Sequence, residues 1–203
     1  MMRATIGPDG RARCPWADGT DDYRAYHDSE WGRPVRGDTA LFERVTLEAF
    51  QSGLSWLTIL RKRQGFRAAF AGFDAHEVAG FDAADVERLM ADAAIVRNRR
   101  KIDATVQNAR ALVQLQDSGA SLDALFWSFA PGPRSRPSTM DEVPAQTPES
   151  LALSKALKAR GFAFVGPTTM YAAMQACGVV DDHLVDCHVA AAATSVVGGA
   201  APG

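Results

Sequence analysis

Apolar positions recur with helical spacing over most of the chain. Leu41, Val45 and Ala49 fall in one row flanked by Phe42 and Phe50, which predicts a helix over 38–53, capped by Asp38 and stopped at Gly53. A second helix is expected over 54–63 and shorter ones over 65–70, 75–80 and 82–90, the last capped by Asp82. The clearest pattern spans 101–116, where Ile102, Val106, Ala109 and Val113 make a single stripe. Leu122, Leu125, Phe126 and Phe129 repeat the signal over 121–129. Thr147 and Pro148 open another helix that ends before Gly161, and a last one covers 168–177, closed by Gly178. Alternation with a period of two never persists, so the predicted class is all-α with few strands.

Between these helices, residues 131–144 carry four prolines and read as a surface loop. The first 37 residues are rich in Gly, Pro, Asp and Arg, yet include Trp16, Tyr23, Tyr26 and Trp31. A solvated tail has no use for so many rings, so this segment should pack onto the body. The tail after His188 is small and Gly-rich and should fray.

Composition narrows the class. A hydrophobic fraction of 47% and a charged fraction of 23% are ordinary for a soluble globule and argue against extended disorder. No stretch approaches the roughly 18 consecutive apolar residues of a membrane span, and the N-terminal residues lack the apolar core of a secretory signal. A net charge of −2 leaves any polyanion to a local patch. Three cysteines, an odd number, argue against a disulfide framework and for a reducing, cytoplasmic setting.

Four groups of residues carry candidate chemistry. Cys14, His27, His183 and Cys187 supply two thiols and two imidazoles, a closed tetrahedral set for structural zinc; the alternative is four unrelated residues. His183 and Cys187 lie four apart, as on one helical turn. Glu48 is an isolated acid on an otherwise apolar helix, with Trp16, Tyr23, Tyr26, Trp31 and Trp56 nearby in sequence. Such an acid is usually solvated and such rings are usually core. Together, however, they suit a flat, cationic, nitrogen-rich ligand. Arg97, Arg99, Arg100 and Lys101 precede a helix N-terminus, as in a phosphate grip or a solvated turn. Neither Cys177 nor Cys187 has a nucleophile's local signature, and no Gly-rich nucleotide loop is present.

The segments RCPWA, YRAYHDSEWGRP, LFERVTLEAFQSGLSWLTILRKR, FDAADVERLMADAAIVRNRRKIDATVQNARA, LSKALKARGF and FVGPTTMYAAMQACGVVDDHLVDC resemble, in order and spacing, the 3-methyladenine DNA glycosylase I family over residues 13–187. The resemblance implies a divergent helix-hairpin-helix DNA glycosylase fold whose N- and C-terminal segments are clipped together by one zinc per chain. Residues 1–190 would form one unit of two intertwined lobes, about 38–130 and 11–37 plus 145–190, with 191–203 a disordered tail. Cys14, His27, His183 and Cys187 take the ligand positions; Glu48 falls on the base-binding and catalytic acid, among Trp16, Tyr23, Tyr26, Trp31 and Trp56. Gly53 and Leu54 match the turn that enters the DNA stack, and 91–101, with Arg97, Arg99 and Lys101, the backbone-gripping hairpin. Ala94 and Arg100 stand where glycines are expected, which would alter that grip. The implied partners are alkylated double-stranded DNA and the 3-methyladenine base, with no membrane, for a monomer without lyase activity. The competing readings are a zinc-stabilised DNA- or base-binding module without turnover and, against a closed four-ligand site, a zinc hydrolase.

Overall fold

The computed structural model describes residues 2–189; the tail expected after residue 190 lies outside them. Helices dominate, and the strands are a two-residue antiparallel pair, β1 (Thr5–Ile6) and β2 (Ala12–Arg13), with Thr5 opposite Arg13. Among the described residues, no helix is long and apolar enough to cross a membrane.

The central element is α2 (Asp38–Gln51), buried continuously from Val45 to Phe50. Leu41, Val45 and Ala49 form the expected inner row. Burying side chains such as Phe42 and Leu47 contributes roughly 1.5–3 kcal/mol each. Asp38 is not its cap. Gly37 holds that position with φ +87°, while the Asp38 carboxylate accepts from Gln116 Nε2 (2.7 Å) and the Asp123 amide (2.9 Å), fastening α2 to later helices.

Several boundaries follow side-chain caps. Ser55 starts α3 (Trp56–Ala69), Asp82 and Asp85 form a capping box on α5 (Ala83–Ala91), and Asn98 starts α6 (Arg99–Asp117). Ser121 caps α7 (Leu122–Trp127) and Thr147 caps α8 (Pro148–Lys158); α4 (Ala75–Ala79) and α9 (Pro167–Ala176) also fall close to expectation. The helices expected over 54–63 and 65–70 are one, α3, which begins only at Trp56 and runs through Gly65. A Cβ at Gly65 would lie 2.5 Å from the Ala94 carbonyl oxygen, so this glycine serves close approach rather than a break.

The N-terminal segment does pack inward. It contains α1 (Asp21–Ser29), whose Tyr26 and His27 are buried. Arg13, also buried, donates to Asp9 (2.7 and 2.6 Å) and Asp28 (2.9 and 2.7 Å) and so pins β2 to α1. One cluster of buried apolar side chains runs from Tyr26 to Val180, and a smaller one joins Cys14, Leu184, Cys187 and Val189.

Candidate functional site

A cavity of about 400 Å³ opens beside α2. Trp16, Tyr23, Tyr26, Trp31 and Trp56 all line it, together with Glu48. The rings brace one another: Trp16 meets Trp31 at 5.1 Å and Tyr23 at 5.8 Å, and Tyr26 meets Trp56 at 5.3 Å between centroids. Tyr23 Oη accepts from the Leu57 amide at 3.0 Å, tying α1 to the first turn of α3.

Glu48 is 6% exposed and, among the described residues, has no hydrogen-bond or ion-pair partner. Burial pushes its carboxyl up to about 8, against an opposing pull from Arg44 one turn earlier. Trp56 Nε1 is likewise buried without a partner. An acceptor and a donor left unsatisfied in an aromatic cavity are costly to the empty protein, and a ligand that pairs with them removes that cost. The reading of Glu48 as a solvated acid is excluded by its burial.

The far wall is one the sequence analysis missed. Tyr171, Gln175 and Asp182 line it, with Met140 and Val143 of the proline-rich loop. Asp182 is 3% exposed and accepts from Tyr171 Oη (2.6 Å), Gln175 Nε2 (2.8 Å) and Arg134. That loop is therefore strapped down rather than solvated at Arg134 and at Arg136, which pairs with Asp181 (2.8 Å). The only local signal was an acid adjoining His183; its partners come from distant segments. Cys177, also buried, is held neutral by burial with its thiol pushed up to about 12, which disqualifies it as a nucleophile.

Behind Trp16 and Trp31 the four metal candidates converge, all buried, with their donor atoms within 4.8 Å of one another. Cys187 Sγ lies 3.5 Å from His27 Nε2 and 3.6 Å from His183 Nδ1, and Cys14 Sγ lies 3.9 Å from His183 Nδ1. A tetrahedral zinc with ordinary Zn–S and Zn–N bonds requires donor separations of roughly 3.3–3.8 Å, a range that holds both Cys187 contacts and that the Cys14–His183 contact exceeds slightly, so the donor set suits zinc after a small contraction. The outer ring nitrogens are anchored as well: His27 Nδ1 meets Asp28 at 2.8 Å and His183 Nε2 meets the Trp31 carbonyl at 3.1 Å. Contact with Cys14, then with both imidazoles, draws the Cys187 thiol far below its usual range, while the same contact and burial push Cys14 up. A cation among the four would allow both to be thiolates. His183 and Cys187 do not share a helical turn, however. They flank a tight turn closed by the Cys187 amide on the Leu184 carbonyl (2.9 Å).

The basic run is divided. Arg97 and Arg100 are exposed and, among the described residues, pair with no acid; Arg99 is bound to Glu87 at 2.7 Å. Lys101 departs from expectation: it is 7% exposed and its ammonium donates to the carbonyls of Phe50 (2.8 Å) and Ser52 (2.6 Å), so it is not available to a phosphate. Neither Ala94 nor Arg100 adopts positive φ, so the two departures from glycine leave the 92–98 connection unstrained. Leu54 is 42% exposed at the tip of the α2–α3 turn, following Gly53 with φ +82°.

Comparison with known proteins bears on this arrangement. A profile of the family described as methyladenine glycosylase matches residues 16–190. DNA-3-methyladenine glycosylase 1 of Escherichia coli (strain K12) is 49% identical over 177 residues, 86% of this chain and 95% of that protein. A crystal structure of 3-methyladenine DNA glycosylase I superposes with a TM-score of 0.84 at 46% identity, covering 87% of this chain and 98% of that one. A point variant of such a glycosylase, solved in complex with 3-methyladenine, superposes with a TM-score of 0.82 at 34% identity, covering 87% of this chain and 96% of its own. With residues 16–190 matched by the family profile and the fold shared, the chain belongs to the methyladenine glycosylase family.

Proposed function

We propose that this protein is a DNA repair N-glycosylase that flips 3-methyladenine out of alkylated duplex DNA and hydrolyses its glycosyl bond, leaving an abasic site without lyase cleavage. The single observation that carries the reading is the unpartnered Glu48 carboxyl inside the aromatic cavity. Methylation at N3 makes the base cationic and weakens its bond to the sugar, and the base then departs neutral, with no proton to be supplied. The protein's work is therefore extraction and recognition. Flipping costs a few kcal/mol and less for a damaged base. In this reading Leu54 fills the vacated stack, presented by the turn at Gly53. Trp56 and Tyr26 stack on the base, Trp16, Tyr23 and Trp31 close the box, and cation–π attraction favours a methylated ring by about 0.5–2 kcal/mol. Glu48 accepts hydrogen bonds from the adenine amino group; as the unpaired acid among the described residues lining the cavity, it is also the group we assign to catalysis. Unmodified adenine would have to leave as an anion and stays attached.

Two intertwined lobes, about 38–130 and 11–37 plus 145–190, would meet at the cavity, with α5, the 92–98 connection and α6 as the helix-hairpin-helix. Zinc at Cys14, His27, His183 and Cys187 supplies, when bound, a structural clip with no open position for substrate. We place the protein, as a monomer, in the cytoplasm with DNA.

The test is to incubate alkylated duplex DNA with the protein, with and without chelator, and identify released bases. Free 3-methyladenine supports the reading; tight DNA binding with no release supports a binding module instead. The grip on the backbone has its own test. Charge reversal at Arg97, exposed and unpaired, should weaken binding to all duplexes alike and lower the salt slope by about one unit per lost phosphate contact. Unchanged salt dependence would move that surface elsewhere, for example to Arg61-Lys62-Arg63.

A further inference from the structure

We propose that Lys101 is a positioning residue that sets the conformation of the Gln51–Leu54 turn, so that closure of the hairpin on DNA and insertion of Leu54 are one event. The inference rests on the glycosylase reading above and deepens it.

The turn has a definite form. Ser52 has φ −49° and ψ 114°, Gly53 has φ +82°, and the Leu54 amide donates to the Gln51 carbonyl at 2.7 Å. These are the features of a type II turn, in which the central peptide is rotated about half a revolution from its type I orientation. The carbonyl that reports this rotation is that of Ser52, and Lys101 Nζ donates to it at 2.6 Å. A second bond, to Phe50 at 2.8 Å, takes one of the carbonyls that α2 leaves open at its C-terminus.

The placement of this cation is unfavourable by every local criterion. It lies in the first turn of α6, the positive end of that helix, and burial depresses its basicity. What compensates is the opposite end of α2, whose carbonyls want a cation. Two further contacts join the 92–98 connection to α3, the helix that follows the turn. Lys62 of α3 donates in the other direction, to the Ala93 carbonyl at 2.6 Å, and Gly65 meets Ala94 without room for a Cβ. The 92–98 connection is thus tied to α3 on one side of the turn and, through α6 and Lys101, to the turn itself, with the ammonium setting how the tip is presented.

The experiment compares Lys101→Met, Leu54→Ala and the double variant with the parent. Lys101→Met should lower single-turnover release of 3-methyladenine from alkylated duplex by about tenfold, the worth of a lost charge-assisted bond. Affinity for the free base should stay within about twofold, since Lys101 itself does not line the Glu48 cavity. The double variant should be no worse than Leu54→Ala alone, because one residue acts through the other. Lys101→Arg, which keeps donors for both carbonyls, should recover most of the release. Multiplicative losses would overturn the proposal, as would a salt slope reduced by about one unit, the mark of a direct phosphate contact. So would equal losses of free-base binding and release, or a Lys101→Met chain that fails to fold, since either makes the ammonium part of the core. Failure of the parent to release 3-methyladenine is a different result: it refutes the glycosylase reading itself.

Discussion

Glu48→Gln should abolish the pH dependence of 3-methyladenine binding and weaken that binding most at high pH. In the parent, burial holds the Glu48 carboxyl at about 8, so at pH 7 it is mostly protonated. If the ligand's amino group pairs with the carboxylate, binding must first expel that proton, which costs about 1.4 kcal/mol at one unit below the pKa. Parent affinity should therefore rise about tenfold from pH 7 to pH 9, with a proton released on binding. Glu48→Gln should be flat over that range and weaker than the parent by about 1.5–3 kcal/mol at pH 9. Affinity for undamaged DNA should be the same in both. Calorimetry in two buffers of different ionisation enthalpy reads the proton directly. Parent affinity that falls above pH 8 would show that the protonated acid does the recognising; equal affinities at all pH values would remove Glu48 from the site. The sign for folding is opposite to that of a salt-bridged acid. The folded pKa is raised, so the folded chain holds more protons between the unfolded value, 4.5, and about 8, and stability is lost as pH rises through that window. Glu48→Gln should relieve that loss, and Trp56→Ala, which weakens base binding through lost stacking, should not.

The second large effect belongs to the metal set. Cys14→Ser and His183→Ala should each remove the clip. A site filled at about a thousand times its dissociation constant stabilises by about 4 kcal/mol, which corresponds to about 8–16 °C in melting temperature for a chain of this size. Because Trp16 meets His27 at 5.3 Å and Trp31 meets His183 at 4.7 Å, the cavity rings should loosen as well, visible as increased tryptophan quenching. Metal analysis of protein purified without added zinc should give one ion per chain. Folded, active protein containing none would refute the assignment.

The sequence made legible what local chemistry encodes. Asp82, Ser121 and Thr147 cap helices as their residue types demand, and the row of Leu41, Val45 and Ala49 is buried as its period requires. Gly65 misled because its reason is a neighbour in space, Ala94, and not its own backbone. Helix α1 was invisible as a periodic pattern because most of its residues are charged or aromatic. It is held by Thr20, whose hydroxyl accepts from the Tyr23 amide, and by the packing of Tyr26 and His27. Lys101 reads in sequence as one more cation in a basic run; only tertiary placement turns it inward onto two carbonyls. Of Tyr171, Gln175 and Asp182, only the acid beside His183 gave a local signal, since Arg134, which donates to Tyr171 and Asp182, arrives from a loop whose prolines predict only exposure.

Under the proposed zinc assignment, the four Cys and His residues also impose a schedule on synthesis. His27 and Cys187 are separated by 160 positions, and Trp16, Tyr23 and Tyr26 lie between or beside the two early ligands. At about 5–20 residues per second the ribosome needs roughly 8–32 s to deliver the late pair. Throughout that interval the nascent chain carries its aromatic wall unbraced, so a product that stops short of His183 has no finished cavity.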